Sequence, residues 1–257
     1  MPKRIVVIVE SSADFRHVTG LLDRKILHHA PDGFHGKQLA AKRQWCGLEA
    51  GSDFTNWKDI KRLAKNPGGL RGRGPIGFGR GEGRGHDYPS TRKVLQMCAQ
   101  MNPRPDAVIL FRDLDDQPKE RRESIEKAKE ELRLPNVEIV LALAEAKREA
   151  WVLNGLEPKT DKERKKLGEL RADLGFHPLE QAQKLDATSP GAKRDAKRVL
   201  AALTGGDAAR EEKCWAETEW TVLRERGRAT GLNAFLSAAK DALVPSIIGT
   251  PAVAAVE

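Results

Sequence analysis

With 257 residues, 32% of them charged and 5% aromatic, the chain is long enough for one large domain or two small ones around a sizeable core. Lys and Arg outnumber Asp and Glu by 45 to 37, and the resulting net charge of +8 favours an anionic partner, nucleic acid first among them. No apolar run approaches the roughly 20 residues that span a bilayer, Ile5–Val9 falls short of the ~7–15-residue core of a signal peptide, and Cys46, Cys98 and Cys214 lack the paired spacing of a zinc or disulfide framework, so a cytoplasmic protein with no membrane partner is expected.

Ile5–Val9 (IVVIV) is five β-branched residues in a row and predicts a buried strand. It ends on Glu10. Ser11 or Ser12 then caps a helix through Phe15, Val18, Leu21, Leu22 and Ile26, apolar at helical spacing. A carboxylate therefore sits between a buried strand and a helix, and Asp14 falls in that helix's first turn, where it also complements the helix dipole. The adjacent His28 and His29 diverge on a helix and are read as a solvated helix end.

Residues 31–89 show no strong periodicity. Gln38–Trp45 reads as a short strand or a helix edge, and Trp57, Ile60 and Leu63 share one helical face. From Pro67 to Gly85 the chain is PGGLRGRGPIGFGRGEGRG, with Arg71, Arg73, Arg80 and Arg84 spaced by glycines. The GxxxxGK(S/T) pattern of a P-loop is absent. Gly/Arg segments bind nucleic-acid backbones through charge and arginine stacking, and a surface loop without a partner is the competing reading. The segment is taken as an insertion that orders on binding.

A helix follows over Pro89–Met101, with Val94, Leu95 and Cys98 inward. Next comes the most informative stretch, DAVILFRDLDD (Asp106–Asp116). Ala107–Leu110 reads as a strand buried on both faces of a parallel sheet. At its carboxyl end stand Asp113, Asp115 and Asp116, which repel one another unless something positive sits between them. The crevice beyond strand carboxyl ends is where open α/β sheets bind ligands. Asp113 and Asp115 point the same way if the strand continues that far, and hard carboxylate oxygens suit Mg²⁺ or Mn²⁺. Alternatively, Asp115 or Asp116 only caps the charged helix that runs from Pro118 to Leu132. Val137–Ala142 is a third strand, and the AEAKREAWVLNG that follows places Glu145 and Glu149 on one face if it is helical throughout.

From Pro158 onward the composition turns helical and charged. Asp161–Leu174 is one helix; Ser189-Pro190 opens another, with Lys193, Arg194, Lys197 and Arg198 in its first turns, where cations oppose the dipole and a bound anion would relieve them. A last helix covers about Asn233–Leu243, and the tail after Pro251 is expected to fray. The fold class is α/β: a mostly parallel central sheet flanked by helices, with a helical C-terminal extension.

A strand ending in Glu10, a helix near Asp14 and a later strand ending in Asp113-Leu114-Asp115 resemble the Toprim domain of topoisomerases, primases and nucleases of the OLD (overcoming lysogenisation defect) family. Glu149-Ala150-Trp151 is similar to an E-x-W of small bacterial Toprim-like proteins, whereas Ser11 stands where a glycine usually follows the glutamate. The resemblance covers Lys3 to about Gly155, with 31–89 unmatched. It implies a Toprim-like (Rossmann-like) catalytic domain over 1–157 and a helical region over 158–257 that packs on it or docks a partner. It also implies Glu10 as metal ligand or general acid/base, Asp113 and Asp115 holding Mg²⁺ or Mn²⁺, and Asp14 and Glu149 completing a second metal site of the kind that stabilises attacking and leaving oxygens. Lys197 is assigned to transition-state charge, and Lys193 with the four loop arginines to nucleic-acid binding.

The activity implied is hydrolysis of phosphodiester bonds in DNA or RNA, transfer RNA included. Tyr88, the only tyrosine, falls in the loop region, which argues against a topoisomerase nucleophile. Without a Walker motif, an ATPase must be a separate, ABC-type subunit, as for effectors of bacterial antiphage systems. Two other readings compete: a non-catalytic nucleic-acid-binding or assembly subunit whose acids merely cap helices, and a hydrolase of small phosphates. Trp215 and Trp220 are either partner anchors or core.

Overall fold

A computed structural model describes residues 1–65, 85–115 and 117–249. The strands are β1 (Lys3–Val9), β2 (Arg43–Cys46), β3 (Thr55–Asn56), β4 (Ala107–Asp113) and β5 (Glu138–Ala144). Between them lie α1 (Ser12–His29), α2 (Gly36–Lys42), α3 (Ile60–Lys65), α4 (Tyr88–Gln100) and α5 (Pro118–Glu131). After β5 come α6 (Arg148–Asn154), α7 (Asp161–Leu174), α8 (Ala196–Thr204), α9 (Ala208–Ala216), α10 (Trp220–Arg226) and α11 (Leu232–Ile248). The fold is α/β and Rossmann-like, with sheet order β2-β1-β4-β5.

β1 is the strand the sheet is built on. It pairs in parallel with β2 along Lys3–Val6, with β3 at Ile8 and Val9, and with β4 along Ile5–Ile8. Ile5 to Val9 and Ala107 to Phe111 are all at most 1% exposed, as expected for strands covered on both faces. Parallel neighbours need a crossover, which α1 and α2 supply between β1 and β2, and α5 between β4 and β5.

The stretch 31–89 holds more regular structure than its weak periodicity implied, because it contributes β2 and β3 to the sheet. Trp57, Ile60 and Leu63 are buried together, as their spacing predicted. Tyr88 does not lie in a loop: it opens α4, is buried, and donates its hydroxyl to Glu131. The arginines Arg71, Arg73, Arg80 and Arg84 lie outside the described residues, as does the tail after Pro251.

The chain divides into two compact units. The first comprises residues 1–112, 119–141 and 237–257; the second comprises 113–118 and 142–236. In the first, Val6, Ile8, Val108 and Leu110 of the sheet pack with Trp57, Ile60, Val94 and Met97. The second is organised on α6. Trp151, 1% exposed, stacks on Phe235 at 5.4 Å and donates its indole N–H to the Thr230 carbonyl at 2.6 Å. Gly155, just after α6, lies against the Cys214 carbonyl so closely that a Cβ would stand 1.9 Å from that oxygen. Trp215 is buried in this unit and Trp220 half-buried, so the first is a core residue and offers no anchor to a partner.

Candidate functional site

In the first unit the end of β1 carries Glu10, half of the pattern read from sequence. Ser11 caps α1: its hydroxyl oxygen accepts the Asp14 N–H at 3.3 Å and its O–H donates to Asp14 Oδ2 at 2.8 Å. Asp14, 5% exposed, is thus bound into the cap of its own helix. Glu10 is more open, with its side chain 33% exposed, and Oε1 lies 3.3 Å from a terminal nitrogen of Arg112.

Arg112 is the residue between the buried strand β4 and the acids that follow it. Its other terminal nitrogen is 3.0 Å from Oδ1 of Asp87, a carboxylate only 4% exposed. Asp87 Oδ2 accepts in turn from Arg121 Nε at 2.7 Å. The Arg112 guanidinium carbon stands 5.3 Å over the Trp57 ring, and Trp57 is fixed by donating its indole N–H to the Phe111 carbonyl at 2.6 Å. Two arginines and two acids therefore alternate as Glu10, Arg112, Asp87 and Arg121, with an aromatic floor. Sequence reading missed Asp87, Arg112 and Arg121. Arg112 was in plain view inside FRDLDD, but Asp87 lies far from both arginines along the chain and no local pattern pairs them.

In the second unit, Asp113 Oδ1 accepts the backbone N–H of Arg148, the first residue of α6, at 2.9 Å. The strand stops there. Asp115 lies beyond it with φ 48°, so the alternation that would aim Asp113 and Asp115 the same way is broken. Asp115 is exposed, and its N–H donates to the Ala146 carbonyl at 3.3 Å.

The expected helix over Glu145–Gly155 also begins later, at Arg148, so Glu145 precedes it and does not share a face with Glu149. Glu149, its side chain 8% exposed, accepts at Oε1 from Arg148 at 3.2 Å, while Oε2 is buried without a hydrogen-bond partner among the described residues. Arg148 also lies 3.7 Å from Glu211.

The sequence asks for something positive among these acids, and in each unit an arginine is there. Removing one acid would consequently strand a cation or a helix N–H.

The expected helix at Ser189-Pro190 starts only at Ala196, where the Asp195 side chain accepts the Lys197 N–H. Lys193 and Arg194 precede it, and Lys193 pairs with Asp173 at 3.4 Å. Lys197 is exposed. An acid therefore caps the helix start where a bound anion was expected.

Among the described residues no group of three or more His, Cys, Asp and Glu side chains is placed to hold a metal ion. Nor is any helix among them long and apolar enough to cross a membrane. Comparison with protein-family models, with curated proteins and with solved structures finds no match.

Proposed function

We propose that this chain is a Mg²⁺- or Mn²⁺-dependent hydrolase of nucleic-acid phosphodiester bonds. The observation that carries the reading is the placement of acids along the sheet. Glu10 follows β1, Asp113 closes β4, and β1 and β4 are parallel neighbours with Ile8 opposite Leu110. Carboxyl ends of neighbouring parallel strands are where such sheets bind ligands. The resemblance of Glu10 and Asp113-Leu114-Asp115 to Toprim nucleases gives the reaction class, and the +8 charge with the Gly/Arg stretch favours a polyanion.

The donors fit a hard divalent cation by type, since all are carboxylates. Their arrangement does not yet fit one, because Glu10, Asp113 and Glu149 are engaged by Arg112, the Arg148 N–H and the Arg148 guanidinium. The same resemblance suggests an antiphage effector completed by a separate ABC-type ATPase subunit.

The test is incubation of supercoiled plasmid and transfer RNA with the protein and Mg²⁺ or Mn²⁺, alone and with any ATPase that co-purifies. Cleavage that disappears in Glu10→Gln and Asp113→Asn is expected; no cleavage under any of these conditions refutes the proposal. The engagement of each acid by an arginine or a helix N–H favours one second reading, a nucleic-acid-binding subunit without catalysis, for which binding persists and cleavage never occurs.

A further inference from the structure

The Arg112 guanidinium is contacted by two carboxylates and an aromatic ring. Asp87 is nearly buried and is shared between Arg112 and Arg121, so it stays in place. On one side the Arg112 guanidinium carbon lies 5.3 Å over the Trp57 ring. Glu10 is the more exposed and more distant of the two acids on Arg112, at 33% and 3.3 Å against 4% and 3.0 Å for Asp87. The two ion pairs use the terminal nitrogens, and Arg112 Nε stays buried without a hydrogen-bond acceptor among the described residues. This arginine is thus held by two ion pairs and a cation–π contact, and Glu10 is the more exposed of its two counter-ions.

Partly exposed ion pairs are weak, whereas arginine meets a phosphate with a planar fork and charge-assisted bonds. A fork fixed beforehand loses less freedom when it binds. Arg112 also stands at the carboxyl end of the β1–β4 pair, the ligand-binding side of a parallel sheet.

We infer that Arg112 takes a phosphate oxygen of a nucleic-acid strand, and that Glu10 is the counter-ion it gives up. The inference rests on the reading of a phosphodiester substrate. It requires only the first unit and no metal. Exchange at Arg112 leaves Asp87 paired with Arg121.

The experiment measures binding of a fluorescently labelled single-stranded oligodeoxythymidine, and of its RNA counterpart, by anisotropy in EDTA. Loss of a charge-assisted contact in Arg112→Gln should weaken binding by about tenfold. Arg112→Lys keeps a cation beside Asp87 but loses the fork, and it should also weaken binding; it decides the matter if Arg112→Gln does not fold. Arg133→Gln removes an exposed arginine and should change affinity far less. Glu10→Gln should tighten binding, and that gain should vanish in the Glu10→Gln/Arg112→Lys double variant. Wild-type affinity in Arg112→Lys, or an equal loss in Arg133→Gln, overturns the inference. Cleavage assays with Mn²⁺ are read separately: Arg112-dependent binding without any cleavage overturns the hydrolase and leaves this contact standing, and cleavage with Arg112-independent binding does the reverse.

Discussion

Substitution of Asp113 separates a structural duty from a chemical one. Its Oδ1 accepts the Arg148 N–H at 2.9 Å, and Arg148 is 8% exposed. Asp113→Ala removes an acceptor at the start of α6 and leaves a backbone donor buried without it. Removing the acceptor of this helix-start N–H costs roughly 2 kcal/mol, the upper end for a lost cap. In a chain of this size that lowers Tm by about 4–8 °C. Asp113→Asn keeps a carbonyl oxygen for the same N–H and should cost well under half as much. Metal-dependent cleavage, by contrast, needs the charge, so both variants should fall to background on plasmid and transfer RNA. Urea unfolding followed by tryptophan fluorescence, run beside the cleavage assay, gives the two readouts. A wild-type urea midpoint in Asp113→Ala refutes the capping role. Full cleavage by a folded Asp113→Asn refutes the metal-ligand role.

Glu163 is held down to about 2 by the hydrogen bond from Arg210, from an ordinary value of 4.5. A depressed acid stabilises the fold above its unfolded pKa and loses that contribution as pH falls through the folded value. The Tm difference between wild type and Glu163→Gln should therefore be constant above about pH 5 and close between about 4.5 and 2; a difference independent of pH rules out the pair. Gly155→Ala drives a Cβ to 1.9 Å from the Cys214 carbonyl oxygen, and a backbone atom cannot swing aside, so destabilisation of about 3 kcal/mol or more is expected in urea; an unchanged midpoint contradicts that packing. Replacing Arg71, Arg73, Arg80 and Arg84 by alanine should weaken nucleic-acid binding and flatten its salt dependence, because fewer counterions are released. An identical salt slope assigns that stretch another role.

β1, β4 and β5 were legible because each is an apolar run rich in β-branched residues, and α7 because its composition is charged and helix-favouring. β2 and β3 were not, since RQWC and TN are too short and too polar to show a period; they are strands because β1 offers them an edge. Glu145 misled for a related reason. Its spacing from Glu149 fits a helix, but its N–H is taken by the Thr230 carbonyl at 3.0 Å, a partner no local pattern reveals. The acids at the strand ends were legible as a problem of charge, and a metal is only one solution to it. Arg112 and Arg148 are another, already built in. Any ion or phosphate that comes to these strand ends must compete with guanidinium groups that are in place. Glu10 is the most exposed of the acids paired with these arginines, and exchange should begin there.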